Sequence, residues 1–194
     1  MTGMGTMRWA ARLTIFAGLL ATSSAWGQNA PKLIPDQDVE IKYRVTRQDQ
    51  PAFNRRVRWN AARALERADV PGNSVVSVDH NSLDETLLRS DTHSYLKIEV
   101  PKGSALYPDP DLQRTTGEQA TVAGLTCTEW NWTGPNDGRP RSICVTDGGV
   151  LLRVTVDGHV VILAKSVRYH KIKPAIFEIP NNYVPSLAPD GPQG

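Results

Sequence analysis

A run of strict two-residue alternation constrains the fold of this chain more than any other feature. Apolar side chains at Val39, Ile41, Tyr43 and Val45 alternate with charged or polar neighbours over eight positions. Successive side chains of a β-strand point to opposite faces of the sheet. The pattern therefore predicts a strand with one buried and one solvated face.

Similar runs, separated by turns rich in Asn, Asp, Gly and Pro, predict an antiparallel meander through most of the chain. Loops are expected at 48–54 and 101–118, and the Ala- and Leu-rich stretch 61–68 is ambiguous between helix and strand, with strand favoured by its neighbours. The aromatic residues are expected in the core: Tyr43, Trp59, Tyr95, Trp130 and Trp132. The predicted strands are 39–46, 55–60, 74–80, 85–89, 95–100, 119–132, 141–146, 150–156, 159–169 and 172–179.

The N-terminal segment is typical of a secretory signal peptide. Arg8 and Arg12 precede an apolar run and then small residues, and this order predicts cleavage of residues 1–27. The apolar run is too short for a membrane span of about 20 residues, although an uncleaved anchor is the alternative. Cleavage after Ala25 also fits the pattern. The mature chain is then one β-rich domain at 28–183, followed by a disordered tail at 184–194.

The charge balance argues against nucleic acid as a partner. The chain has 22 basic and 20 acidic residues, and removal of Arg8 and Arg12 leaves equal numbers. A nucleic-acid-binding protein normally carries a basic excess or stripe. No second apolar segment approaches membrane length, so we expect no membrane span after cleavage of the signal.

The two cysteines, Cys127 and Cys144, are expected to form one disulfide in an oxidising, periplasmic or secreted compartment. If Trp132 faces Arg139 across the intervening loop, the same register places the cysteines directly opposite each other. It also places Trp130 opposite Arg141, where a cation–π contact is possible; simple burial of both tryptophans is the alternative.

No motif indicates catalysis, a metal or a cofactor. The histidines are scattered and match no metal-binding spacing, and the sequence contains neither a G-x-S-x-G nor a C-x-x-C motif. Asp109 and Asp111 form a carboxylate pair on one loop, with too few other ligands for a calcium site. We therefore predict a non-enzymatic protein without a cofactor or metal.

Several runs resemble the lipoprotein-localisation (Lol) carrier and receptor superfamily. These are RVRW, SVVSVDHNSLDETLL and YLKIEVP, although His80-Asn81 stands where the family usually has glycine after the aspartate. The runs AIFEIPNNYV, TVAGLTCTEW and CVTDGGVLLR are similar to periplasmic relatives in which a disulfide spans a hairpin. The resemblance implies a single curved antiparallel sheet, an open half-barrel over a hydrophobic cavity that binds acyl chains or hydrophobic segments without catalysis.

Two functions stay open on this basis. The first is an envelope protein that binds a lipid, an acyl chain or a lipoprotein in the half-barrel. The second is a structural or interaction module whose sheet is fully packed. If a ligand is bound, Leu106 and Tyr107 in the loop 101–118 are the candidate lid residues, and a solvated connector is the alternative.

Overall fold

The computed structural model describes residues 31–47, 49–99, 113–133 and 137–186. Within these ranges the chain forms twelve strands and two 3-10 turns, at Ala61–Arg63 and Pro174–Phe177, and no α-helix. The prediction of a mainly β protein with little helix is therefore confirmed. The strands are β1 (Val39–Arg47), β2 (Gln50–Asn60), β3 (Leu65–Val70), β4 (Ser74–Asp79), β5 (Asp84–Arg89), β6 (Ser94–Glu99), β7 (Gln113–Val122), β8 (Leu125–Thr133), β9 (Pro140–Val145), β10 (Leu151–Val156), β11 (His159–Tyr169) and β12 (Val184–Pro185).

All twelve strands belong to one sheet, in the order β12-β6-β5-β4-β3-β2-β1-β11-β10-β9-β8-β7. Two meanders, β1 to β6 and β7 to β11, are joined by the antiparallel pairing of β1 with β11. The order is linear, and the sheet formed by the described strands is curved and open, not closed into a barrel. The predicted curved antiparallel sheet is confirmed.

The first strand is the centre of the core. It pairs with β2 on one side and with β11 on the other, so both of its edges are hydrogen-bonded. Its alternating residues Val39, Ile41, Tyr43 and Val45 are all buried. Burial of each apolar side chain of this size contributes about 1.5–3 kcal/mol relative to exposure. This explains why the alternation is strictest in β1.

Asp38 connects the beginning of β1 to two distant parts of the chain. Its carboxylate accepts hydrogen bonds from the backbone N–H of Ala61, at 2.9 Å, and of Ile172, at 3.0 Å. The carbonyl of Asp38 also accepts a hydrogen bond from the N–H of His170. These bonds position the 3-10 turn after β2 and the segment after β11 relative to β1.

The segment before β1 packs closely against the turn between β9 and β10. The backbone N–H of Asp36 donates to the carbonyl of Gly148 at 2.9 Å. Gly149 has a φ of +85°, and a Cβ at this position would lie 2.4 Å from the carbonyl oxygen of Ile34. Only glycine allows this approach without a shift of the backbone.

The C-terminal part of the described chain covers one face of β3. Ile172 and Phe177 form a small buried cluster with Leu65, and the guanidinium of Arg67 donates to the carbonyl of Ile176. Because side chains alternate along a strand, Glu66 lies on the opposite face of β3 from Leu65 and Arg67.

Several predicted boundaries are wrong. Gln50–Asn54, predicted as a loop, belongs to β2, and residues 113–118, also predicted as a loop, begin β7. The single strand predicted over 119–132 is divided by a turn at Ala123 and Gly124, which both have positive φ. The first two errors share one cause, because cross-strand pairing decides where a strand ends. In the third, Gly124 is a local signal for the turn.

The end of the domain also differs from the prediction. The strand expected at 172–179 is replaced by the 3-10 turn that begins at Pro174, because proline lacks the N–H that a ladder requires. Val184–Pro185, expected in a disordered tail, pairs in parallel with Ser94 and Tyr95 of β6. The ambiguous stretch 61–68 contains a 3-10 turn followed by β3, so the preference for strand is correct only for its second half.

The disulfide between Cys127 and Cys144 is present, and the predicted register around it is wrong by two residues. Trp132 pairs with Arg141, and Trp130 pairs with Ile143, because β8 continues to Thr133 and β9 begins at Pro140. The cysteines are therefore diagonal across β8 and β9 and not directly opposite, with Cα atoms 5.4 Å apart. A shift of two residues keeps every side chain on its predicted face. The predicted placement of Trp130 opposite Arg141 is wrong for the same reason.

Of the aromatic residues expected in the core, Tyr43, Trp59 and Trp130 are buried and Tyr95 is half-buried. The side chain of Trp132 lies outside the described part of the structure, as does the segment 1–27 that is predicted to be a signal peptide.

Candidate binding cavity

A cavity of about 620 Å³ lies on the face of the sheet that carries Tyr43, Val57 and Trp59. Strands from both meanders line it, so it occupies the concave side of the curved sheet. Its volume falls within the range of about 300–1,000 Å³ that is usual for small-molecule sites. The lining side chains are mostly aliphatic or aromatic: Pro31, Leu33, Ile34, Tyr43, Val57, Trp59, Leu83, Ile143, Leu151, Val154, Val156, Val161 and Ile162, with Arg55, Glu66, His80, Arg141 and Gly149 completing the set.

Strand register explains the apolar wall. Val45 of β1 pairs with Ile162 of β11, Ile162 with Val154 of β10, and Val154 with Ile143 of β9. These side chains form a row across four neighbouring strands on the concave face. The short segment before β1 adds two more apolar side chains. Ile34 packs against the buried residues of β1, and Leu33 packs against the buried cluster that contains Ile143.

Glu66 and His80 form a polar pair at the β3 side of the cavity. Nε2 of His80 lies 3.1 Å from Oε2 of Glu66, and their side chains are only 8% and 12% exposed. The imidazole also stacks on Trp59, with ring centroids 4.6 Å apart. Glu66 pairs with Trp59 across β2 and β3, so the register brings all three side chains together.

Tyr43 contributes a polar atom that is already used inside the protein. Its hydroxyl donates a hydrogen bond of 2.7 Å to the carbonyl of Leu151. Burial, and then the charge of Glu66, raise the pKa of Tyr43 far above its ordinary value, while the charge of Arg55 acts in the opposite direction. The phenol is therefore neutral and serves as a structural contact between β1 and β10.

Arg141 lies at the other end of the cavity and binds Asp137. The two side chains are joined by a hydrogen bond of 2.6 Å from Nη2 of Arg141. A hydrogen bond from the backbone N–H of Arg139, followed by the guanidinium of Arg141, lowers the pKa of Asp137. The ion pair therefore persists at neutral pH.

Arg55 differs from the other charged residues of the lining. It pairs with Tyr43 across β1 and β2 and shares the concave face with Val57 and Trp59. Its Nε is buried and has no hydrogen-bond acceptor among the described residues. A buried donor without an acceptor is unfavourable, because it has lost its hydrogen bonds to water.

The residues predicted for the site are either outside the described residues or do not line the cavity. Leu106 and Tyr107, the candidate lid residues, are outside the described residues, as are Asp109 and Asp111. Cys127 and Cys144 are buried in the same core cluster as the apolar residues of β1, and they do not line the cavity. Arg55 is a lining residue that the sequence could have indicated, because the alternation of 55–60 places it on the same face as Val57 and Trp59.

The described ranges offer neither a metal centre nor a membrane-spanning helix. No group of three or more His, Cys, Asp or Glu side chains that could hold a metal ion occurs in them. The same part of the chain contains no helix long and apolar enough to cross a membrane.

Comparison with known proteins finds similar folds but does not assign the chain to a family. No protein-family model and no curated protein matches this chain. An uncharacterized conserved protein from Thermus thermophilus is similar in structure, with a TM-score of 0.55 at 10% identity over 78% of this chain and 91% of that chain. PNGF-II has a TM-score of 0.50 at 12% identity over 77% of this chain, which spans only 31% of that protein. At such identities the similarity is one of fold alone.

Two further structural matches, both with a TM-score below 0.5, concern the predicted resemblance. A LolA superfamily protein from Nitrosomonas europaea matches 76% of this chain and 92% of that chain at 10% identity, with a TM-score of 0.32. MucB from the Pseudomonas aeruginosa MucA/MucB complex matches 78% of this chain and 58% of that chain at 11% identity, with a TM-score of 0.46. The predicted weak resemblance agrees with these matches. They carry no argument about function.

Proposed function

We propose that this chain is a non-enzymatic envelope protein that binds a hydrophobic ligand, such as a lipid or an acyl chain, in its concave cavity. The supporting observation is the cavity itself, which has about 620 Å³ of space against a wall of aliphatic and aromatic side chains. Apolar surface that a ligand covers is removed from water, at a gain of about 25 cal/mol per Å².

The chemistry of the lining favours binding over catalysis. The described lining contains no serine, threonine or cysteine that could serve as a nucleophile. Glu66 and His80 bind each other, and Arg141 binds Asp137, so these three side chains already have partners within the protein. A general base aimed at a reacting group is not evident in this arrangement.

The proposed location is the periplasm or the extracellular space. The segment 1–27 has the features of a cleaved signal peptide, and the disulfide between Cys127 and Cys144 is of the kind that persists in oxidising compartments. In this compartment the partner would be a lipid or the acyl chains of a lipoprotein. Leu106 and Tyr107 remain the proposed lid of the ligand site.

A cavity-filling substitution tests the proposal. Val161 lines the cavity, whereas its neighbour Val160 is 41% exposed. Tryptophan at position 161 would occupy ligand space, and tryptophan at position 160 adds the same side chain at the surface. The probe is N-phenylnaphthylamine, a neutral dye whose fluorescence rises in apolar surroundings.

We expect wild type and Val160→Trp to bind the dye with equal affinity, and Val161→Trp to lose at least about tenfold. The unfolding midpoint of each variant shows that it is folded. Equal dye binding by both variants would place the ligand elsewhere. A wild-type protein that binds no dye would favour the interaction module.

A further inference from the structure

We propose that Arg55 binds the anionic head group of an amphiphile whose hydrocarbon chain occupies the cavity. The ligand class is then a lipid that carries a carboxylate or a phosphate. This inference rests on the proposed function, and it assigns a specific role to one residue of the same site.

The hydrogen bonds of the half-buried arginines distinguish Arg55 from the others. Four arginines have a buried Nε without an acceptor among the described residues: Arg55, Arg58, Arg67 and Arg141. In three of them another nitrogen of the guanidinium is engaged, with Asp69 for Arg58, the carbonyl of Ile176 for Arg67, and Asp137 for Arg141. Arg55 makes no hydrogen bond to any described residue, and it lines the cavity on the same face of β2 as Val57 and Trp59.

A guanidinium in this position is suited to an oxyanion. Its N–H groups form a planar fork that matches the two oxygens of a carboxylate or a phosphate. Arg55 pairs with Tyr43, whose hydroxyl donates to the carbonyl of Leu151 and accepts no hydrogen bond from Nε of Arg55. A ligand oxyanion would satisfy the buried Nε and leave the alkyl chain against the aliphatic row on β9, β10 and β11.

Two carboxylates lie on the strands that continue the sheet beyond β2: Glu66 of β3, which also lines the cavity, and Glu85 of β5, on which the charge of Arg55 acts. Glu66 is hydrogen-bonded to His80. Burial raises the pKa of Glu85 above its ordinary value, even though the charge of Arg55 lowers it. Neither carboxylate forms a hydrogen bond with Arg55, which leaves the guanidinium available to a ligand anion.

The test compares head groups on one alkyl chain. Dodecanoate, dodecyl phosphate and dodecanol are titrated against protein loaded with N-phenylnaphthylamine, and displacement of the dye gives each affinity. The variants are Arg55→Gln, Arg55→Lys and the control Arg44→Gln, which removes the same charge from the exposed face of the neighbouring β1. Urea unfolding checks that all variants are folded.

We expect wild type to bind at least one of the two anions roughly 10- to 100-fold more tightly than dodecanol, as a charged hydrogen bond implies. Arg55→Gln should lose this preference and keep its affinity for dodecanol and for the dye. Arg55→Lys should retain part of the preference, because lysine keeps the charge and loses the fork. Arg44→Gln should behave like wild type. Comparison of dodecanoate with dodecyl phosphate identifies the preferred oxyanion.

The failures of the two proposals are distinguishable. If the dye and dodecanol bind while Arg55→Gln leaves anion affinity unchanged, the role of Arg55 is wrong and the hydrophobic site stands. If Arg55→Gln weakens the dye, dodecanol and the anions equally, Arg55 maintains the shape of the cavity and the head-group role is wrong. If wild type binds none of these probes, the proposed function itself is wrong.

Discussion

Reduction of the disulfide should destabilise the domain, and the length of the loop that the disulfide closes sets the size of the loss. Cys127 and Cys144 are 17 residues apart in sequence. Closing a loop of this length removes conformational entropy from the unfolded chain, worth about 3 kcal/mol in the chain-entropy model. For a domain of this size the loss corresponds to a decrease of roughly 6–12 °C in the melting temperature.

The assay must separate the cross-link from the packing of the two side chains, because Cys127 and Cys144 are only 2% and 0% exposed. Reduced wild type keeps both side chains and loses only the bond, whereas Cys127→Ala with Cys144→Ala loses both. We therefore expect urea unfolding to give the order oxidised wild type, reduced wild type and double variant, from most to least stable. Equal midpoints for the oxidised and reduced wild type, with complete reduction verified by thiol titration, would refute the reasoning.

Two further predictions concern the close contact at Gly149 and the charge of Glu85. Gly149→Ala should destabilise the domain by more than Gly158→Ala. Both glycines have positive φ, which costs an alanine about 1–2 kcal/mol, but only at Gly149 would the new Cβ clash with the backbone of Ile34. Equal losses in urea would show that the contact does not exist. Burial disfavours the charged form of Glu85 in the folded state and so raises its pKa. The free energy of unfolding should therefore fall as the pH rises from the ordinary pKa of a glutamate through the raised pKa of Glu85. Glu85→Gln should reduce this slope, and an unchanged pH profile would contradict it.

The local pattern predicted the sheet well where a strand is regular and central. His159–Tyr169 was predicted with its observed limits, and β1 to within one residue. The strand prediction for 172–179 is wrong because its apolar residues do not belong to a strand of the sheet. Ile172 and Phe177 instead pack onto Leu65 from outside the sheet. Pro174 is the local signal against a strand in this segment, because proline has no N–H to donate to a ladder.

The site was less predictable than the fold. The alternation of β2 shows that Arg55 lies among apolar neighbours, and this was the available clue. The pair of Glu66 with His80 depends on the register of β2, β3 and β4, and the contribution of Leu33 and Ile34 depends on the contact of their segment with the β9–β10 turn. These contacts are distant in sequence, and neither composition nor spacing indicates them.

Native mass spectrometry of the protein, purified from its host cells without detergent, shows whether the cavity carries a ligand. We expect a population that carries an additional mass of lipid size. Val161→Trp should strongly reduce this population, and Val160→Trp should not. Only unliganded protein in the wild-type spectrum, with no lipid recovered by solvent extraction of the same sample, would contradict the claim that the cavity binds a hydrophobic ligand.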